Sequence, residues 1–95
     1  MKEFNVESSE TIKKAEVLKL LTHPIRFTIA LALYRNEVMN VSSLQDALVL
    51  PQSTVSQHIS KMRESGIVEA KRSGTKIFYS LTNPIAIKVI KCLEE

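Results

Sequence analysis

The sequence predicts a mainly α-helical domain with a small β-hairpin, an α+β fold of about five helices. Apolar residues recur at helical spacing through most of the chain, and strand-like alternation appears only on the two sides of Gly74. Pro24, Pro51 and Pro84 each stand where a helical pattern begins. Because 95 residues with 44% apolar content can bury one modest core, a single domain is expected over residues 1–95.

The first two helices are predicted from SETIKKAEVLKLL and HPIRFTIALALYRN. The first runs from about Ser9 to Leu21, with Ser9 as its N-cap. Pro24 suits the first turn of the second helix, which carries two apolar faces. One face holds Ile25, Ile29, Ala32 and Leu33, and the other holds Phe27, Leu31 and Tyr34. The second helix is therefore predicted to lie at the centre of the fold.

Two further helices are predicted close together in the middle of the chain. EVMNV is a candidate short strand, and SSLQDALVL then gives a short third helix with capping-box spacing from Ser42 to Gln45. Pro51 interrupts the chain, and a fourth helix is predicted from there to about Ser65. Gly66 is well placed as the left-handed residue that ends this helix.

The last part of the chain predicts a hairpin followed by a fifth helix. IVEAKR and KIFYSLT alternate as strands do, and SGT joins them, with Gly74 supplying the positive φ of a tight turn. PIAIKVIKCLEE then predicts a helix with Asn83 as its N-cap.

The first and last helices carry more apolar surface than a monomer of this size can hide. Such surface usually marks an interface, so a homodimer is predicted. The predicted interface consists of Val17, Leu18 and Leu21 from the first helix and Ile85, Val89, Ile90 and Leu93 from the last.

The fourth helix has an unusual polar face. At about 100° per residue, Val55, Ile59 and Met62 share one side. The opposite side and its flanks carry Ser53, Thr54, Ser56, Gln57, Ser60, Lys61 and Glu64. Ser and Thr form helices less readily than the Glu and Lys usual on a solvated face, whereas Gln pairs with adenine and hydroxyl groups reach bases or phosphates. The face favours nucleic-acid contact, with an ordinary polar face as the alternative.

Charge is concentrated in the same part of the chain. Residues 1–50 hold six Lys and Arg against six Asp and Glu, and residues 77–95 hold two against two. The whole net charge of +3 therefore lies within residues 51–76. A localised basic segment indicates a polyanionic partner, although so small an excess is also compatible with a merely solvated surface.

Several classes of protein are not expected from this sequence. No apolar run approaches the roughly 20 residues of a membrane span, and MKEFNVESSE lacks the hydrophobic stretch of a signal peptide, so a cytoplasmic protein with no membrane partner is predicted. A lone Cys92 excludes an internal disulfide but leaves pairing between chains open. No nucleophile and base have catalytic spacing and no glycine-rich phosphate loop is present, so neither an enzyme nor a cofactor is expected.

LLTHPIRFTIALAL and LPQSTVSQHISKMRESGIVEAKRSGTKIFYSL resemble the ArsR (ArsR/SmtB) family of winged helix-turn-helix repressors, over about Leu18 to Leu93. The resemblance implies a homodimer that binds a double-stranded DNA operator, with the fourth helix in the major groove and the hairpin wing on flanking DNA. It implies DNA contacts from Gln52, Ser53, Thr54, Ser56, Gln57, His58, Lys61, Arg72, Gly74 and Lys76. Pro51 departs from the serine that many members have, so the fourth helix is expected to be capped differently.

Many members of that family sense metals, and a metal- or redox-responsive sensor is one alternative. The third-helix site of the family needs Cys-x-Cys where this chain has VSSLQDAL, and serine does not replace thiolate. The last-helix site needs Asp and His with a later His and Glu, whereas this chain offers Asn83 and no histidine there. We therefore expect the metal-independent branch, with no metal site. The other alternative is a winged helix that binds only proteins.

The sequence also supports expectations for its two histidines and its single cysteine. His23 and His58 are expected to be boundary histidines or phosphate contacts rather than metal ligands. Cys92 is expected to be a small buried residue near the dimer interface.

Overall fold

The computed structural model describes residues 3–94 and contains five helices and three strands. In chain order these are α1 (Ser9–Leu21), α2 (Pro24–Asn36), β1 (Met39–Asn40), α3 (Val41–Leu48), α4 (Gln52–Glu64), β2 (Val68–Ser73), β3 (Lys76–Leu81) and α5 (Pro84–Leu93). The predicted α+β fold, with five helices and a hairpin, is confirmed.

α2 lies at the centre of the fold, as its two apolar faces predict. It packs against α1, α3, α4, α5 and β3. Its Ile29 and Leu33 are at most 1% exposed, and Val55, Ile59 and Met62 of α4 are equally buried. Because fully burying one such side chain contributes about 1.5–3 kcal/mol, this cluster fixes α4 firmly against the core.

α1 and α2 meet at an angle of 98°. The bend occurs because Thr22 ends α1 and Pro24, which lacks a backbone N–H, occupies the first position of α2. Within residues 3–94, no single helix is long and apolar enough to cross a membrane, and only this bent pair taken together has the length and composition.

The three strands form an antiparallel sheet in the order β1-β3-β2. Gly74 has φ 64° in the β2–β3 turn, as predicted, and Arg72 lies opposite Ile77. The candidate strand EVMNV is reduced to two residues, because only Met39 and Asn40 reach partners on β3.

Two of the predicted N-caps are wrong by one or two residues. Ser8, not Ser9, caps α1, and its hydroxyl oxygen accepts from the Thr11 N–H at 3.1 Å. Asn40, not Ser42, caps α3, because pairing of β1 with β3 fixes the extended backbone that an N-cap requires at Asn40. The cap of α5 and the glycine that ends α4 are confirmed, with Asn83 capping α5 and Gly66 at φ 76°.

Candidate nucleic-acid interface

The polar face of α4 is open to solvent because its apolar face is packed in the core. Gln52, Ser53 and Gln57 are exposed, and Thr54 and Ser56 are half-buried on either side of them. The predicted contact residues of the helix therefore lie on one accessible surface. Short side chains on that surface allow a close approach of the helix to another molecule.

The first turn of α4 lacks a side-chain cap. Pro51 is the N-cap residue, and its side chain has no atom that can accept a hydrogen bond from the helix. Its backbone carbonyl accepts from the N–H groups of Thr54 and Val55. The departure expected at Pro51 is therefore real. The first N–H groups of α4, those of Gln52 and Ser53, lie at the end of the helix that carries partial positive charge. Such an end attracts anions, phosphate among them.

A groove joins the start of α4 to the hairpin wing. It has a volume of about 320 Å³, and Gln52, Thr75 and Lys76 line it together with residues at the start of α3. Arg72 is exposed nearby on β2, two residues before Gly74. The start of α4 and the wing thus share one surface, although the C-terminal half of α4 and β2 separate them in the sequence.

The positive charges of this surface have no internal partners. Lys61, Arg63, Lys71, Arg72 and Lys76 are all exposed. The two ion pairs found within residues 3–94, Lys14 with Glu10 and Arg35 with Glu94, lie elsewhere. The basic groups of α4 and the wing are therefore available to an external polyanion.

His58 occupies the flank of α4 rather than its exposed face. It is half-buried, and its Nδ1 accepts a hydrogen bond from Arg26 Nε at 3.2 Å. The His23 ring lies with its centroid 4.4 Å from that of His58, and His23 caps α2. Burial, followed by the nearby His23 and Arg26, lowers the pKa of His58.

The contact between the two histidines and the hydrogen bond from Arg26 to His58 were not predicted from the sequence. Nothing in the spacing of His23 and His58 indicates that the start of α2 meets the middle of α4. Within the described part of the chain, no three His, Cys, Asp or Glu side chains come together in a way that would hold a metal ion.

The apolar surface predicted to bind a second chain is only partly available. Val17, Leu21 and Ile90 are 6%, 4% and 0% exposed, so their side chains belong to the core of the protomer itself. Leu18 and Leu93 are 46% and 60% exposed. They line an apolar groove of about 410 Å³ between α1, the start of α2 and α5, together with Leu21, Phe27 and Val89. Ile85 lies outside this groove and is half-buried.

Cys92 is exposed in the single chain, and the expectation that it would be buried is wrong for the protomer. It stands about 200° around α5 from the buried Ile90. One side of α5 is exposed to solvent in the protomer, and Cys92 lies on that side.

Comparisons of the sequence with known proteins identify bacterial transcriptional regulators as its relatives. A profile of bacterial regulatory proteins of the arsR family matches residues 23–70. The transcriptional repressor PagR of Bacillus anthracis is 44% identical over 79 residues, which span 83% of this chain and 79% of PagR.

Solved structures give the same result. The crystal structure of PagR superposes with a TM-score of 0.83 at 42% identity, covering 88% of this chain and 95% of PagR. Reduced HlyU of Vibrio cholerae superposes with a TM-score of 0.84 at 30% identity, covering 95% of each chain. The homodimeric winged helix-turn-helix DNA-binding domain Mb0332 of Mycobacterium bovis, at 21% identity, shares the fold with a TM-score of 0.80 and covers 97% of this chain and 84% of that one.

Proposed function

Because the chain belongs to the ArsR family of bacterial regulatory proteins, we propose that it is a transcriptional repressor that binds a double-stranded DNA operator as a homodimer. The observation that carries the proposal is the groove shared by Gln52 of α4 and Lys76 of the wing, beside basic groups without internal partners. PagR, a relative of similar length, is named as a transcriptional repressor.

In the proposed complex, α4 enters the major groove with its N-terminal half foremost. Gln52 and Gln57 offer amide groups that pair with base edges, adenine above all. The hydroxyl groups of Ser53, Thr54 and Ser56 reach bases or phosphates at short range. The first-turn N–H groups left without a side-chain cap at Pro51 add an anion contact at the same end of the helix.

The remaining contacts are assigned to the DNA backbone. Lys61 and His58 lie on the flank of α4, and Arg72, Gly74 and Lys76 form the tip of the wing. The cations Lys61, Arg72 and Lys76 neutralise phosphates and fix the position of the protein without distinguishing base pairs. The uncharged His58 ring contributes an N–H donor rather than a charge. The absence of a side chain at Gly74 lets the backbone of the wing approach the duplex closely.

We assign dimer formation to α1 and α5, within one DNA-binding domain that spans residues 1–95. A second copy covers the groove lined by Leu18, Val89 and Leu93, and Ile85 extends the contact. Val17, Leu21 and Ile90 support this surface from the core beneath it. Two-fold symmetry then places the two α4 helices in successive major grooves about 34 Å apart, which requires an imperfect palindrome.

The proposal includes no metal inducer and no cofactor. Asn83 stands where a metal-sensing relative would need Asp, and its Oδ1 accepts hydrogen bonds from the N–H groups of Ile85 and Ala86 at 2.9 and 3.0 Å. This side chain is thus occupied as the cap of α5. α3 has the sequence VSSLQDAL and offers no thiolate.

Selection of bound sequences from a random DNA pool tests the proposal. The expected result is enrichment of an imperfect palindrome whose half-site centres are one helical turn apart. Lys91→Ala serves as a control, since this exposed lysine of α5 lies away from α4 and the wing. Failure to enrich any sequence, together with capture of a protein partner through α4, would replace the proposal by a protein-binding winged helix.

A further inference from the structure

Three side chains connect the start of α2 to the middle of α4, and we call His23, Arg26 and His58 the histidine clasp. Arg26 Nε donates to His58 Nδ1 at 3.2 Å. The backbone N–H of Ile25 donates to His23 Nδ1 at 3.1 Å. The two imidazole rings lie 4.4 Å apart, centroid to centroid, with their planes inclined by 50°. The clasp is the polar contact between α2 and α4, which otherwise pack through apolar residues.

These hydrogen bonds require both histidines to be neutral. A ring nitrogen that accepts a hydrogen bond carries no proton, so each ring bears its proton on Nε2. Protonation of either ring would place an Nδ1–H against the N–H that now donates to it. The bond to Arg26 would be lost at His58, and the cap of α2 would be lost at His23.

No negative charge in the clasp offsets protonation. The charged or titratable groups that act most strongly on His58 are His23 and Arg26, both from α2 and its cap, and both disfavour its protonated form. Two imidazolium rings and a guanidinium would therefore stand together without a carboxylate. A metal ion is equally disfavoured, because coordination through both Nε2 atoms would move each proton to Nδ1 and break both hydrogen bonds.

We propose that the histidine clasp is a pH-sensitive connection that orients α4 for sequence recognition while His58 is neutral and lets α4 turn on the core in acid. Apolar contacts of Val55, Ile59 and Met62 do not titrate, so α4 stays on the core when the clasp opens. What changes is the direction in which its polar face points. The DNA-binding part of this inference rests on the proposed function, whereas the clasp itself does not.

The sign of the effect on stability follows from the pKa of His58, which folding lowers from its ordinary value. An unfolded histidine titrates at about pH 6.5. Below that pH the unfolded chain binds more protons than the folded chain, so the clasp stabilises the fold fully at pH 7.5 and progressively less as the pH falls to 5.5.

The test uses the full chain, two variants that each replace one imidazole by an amide and keep its hydrogen bond, and the double variant. His58→Asn places an amide oxygen where Nδ1 of His58 accepts from Arg26, and His23→Asn retains a good N-cap. The chain has only two histidines, so the double variant removes all histidine titration. Urea unfolding is measured at pH 7.5 and 5.5, and binding to the selected operator and to random duplex is measured at both pH values by fluorescence anisotropy.

We expect the unfolding constant of the unaltered chain to rise about three- to tenfold more than that of the double variant between pH 7.5 and 5.5. We also expect its preference for operator over random DNA to fall by a similar factor, while the double variant keeps at pH 5.5 the preference that it has at pH 7.5. Equal pH dependence of unfolding in the chain and the double variant would overturn the clasp. A clasp confirmed by unfolding, with no operator preference at either pH, would instead overturn the proposed function.

A further measurement does not depend on the folding of any variant. Nitrogen-15 chemical shifts of the histidine rings at pH 7.5 distinguish a protonated from an unprotonated Nδ1. The clasp requires an unprotonated Nδ1 on both His23 and His58. A proton on Nδ1 of His58 would overturn the proposal.

Discussion

At the scale of the residue, Gln57 is the clearest candidate for recognition of a base. It is exposed and stands opposite the buried Val55, Ile59 and Met62. Loss of its amide in Gln57→Ala should remove a bidentate base contact, at a cost of about 1–3 kcal/mol on the operator. Affinity for random DNA should stay unchanged. Titration of both duplexes by fluorescence anisotropy checks this, and equal losses on the two would contradict a base-specific role.

Arg72 and Lys76 should behave in the opposite way, since phosphates carry no sequence information. Replacing either by alanine should weaken binding to all duplexes alike. Each lost phosphate contact should lower the slope of log affinity against log salt concentration by roughly 0.9. Lys91→Ala, which removes an equally exposed cation from α5, is the matched control and should leave the slope unchanged. A sequence-dependent loss for Arg72→Ala would assign that side chain to a base instead.

Individual side chains also show where prediction from sequence stops. The polar face of α4 was predictable because helical periodicity alone separates Gln57 from Val55. The bond between Arg26 and His58 was not, because it depends on how α2 crosses α4. The N-cap of α3 was misplaced for a related reason, since Asn40 is held extended by a strand that pairs with distant residues of β3.

Among the secondary-structure elements, the helices were predictable from local sequence patterns. The conformation of the connection between α3 and α4 was not. Val49 ends α3 with φ 55° and ψ 51°, the left-handed conformation, although it is β-branched. Nothing in ALVLPQ predicts this, because glycine or asparagine usually fills such a position. The strain is tolerated because the Val49 N–H still donates to the Gln45 carbonyl and completes the end of the helix.

Val49→Gly should therefore stabilise the protein. The side chain is 86% exposed, so its removal sacrifices almost no packing, while the left-handed backbone becomes unstrained. We expect the free energy of unfolding, measured in urea, to rise by about 1 kcal/mol. The comparable change Val38→Gly, at a 56% exposed residue without positive φ, should lower it. Destabilisation by Val49→Gly would contradict the strain assigned to the left-handed backbone of Val49.

In the whole molecule, each apolar helix packs one face against the core of its own protomer. The sequence predicted which helices are apolar but not which face of each is buried. α5 is apolar around most of its circumference, and both Ile90 and Leu93 fit a dimer interface by type. Only the packing of α2 against α5 separates them, leaving Ile90 buried and Leu93 60% exposed. Partition of an apolar helix between core and interface is a tertiary property, so no local pattern determines it.

The different burial of Leu93 and Ile90 predicts different outcomes when each is replaced by glutamate. Leu93→Glu should dissociate the dimer into folded monomers, because it places a charge in the exposed groove and leaves the core intact. Ile90→Glu should unfold the chain, because it buries an unpaired charge at a fully buried position. Sedimentation velocity and circular dichroism at micromolar concentration distinguish these results. A monomeric unaltered chain would contradict the homodimer itself.

A response to metal requires ligand side chains that the fold brings together. A tight transition-metal site needs three or four ligands converging at about 2.0–2.3 Å. Within residues 3–94, no three His, Cys, Asp or Glu side chains converge in one protomer, and the Asn83 side chain is engaged as the cap of α5. Operator affinity should therefore be indifferent to stoichiometric Zn(II), Cd(II) and As(III), and to reductant, when measured by fluorescence anisotropy.

The exposure of Cys92 makes one control essential to that prediction. Two protomers supply two thiols, and an exposed thiol on α5 is accessible to oxidant and to a second chain. Cys92→Ser removes this route while preserving shape, and it should leave operator affinity unchanged with or without oxidant. Release of the unaltered protein by metal would disprove the metal-independent assignment. Release by oxidation, abolished in Cys92→Ser, would make Cys92 the sensor, because the chain contains no other thiol.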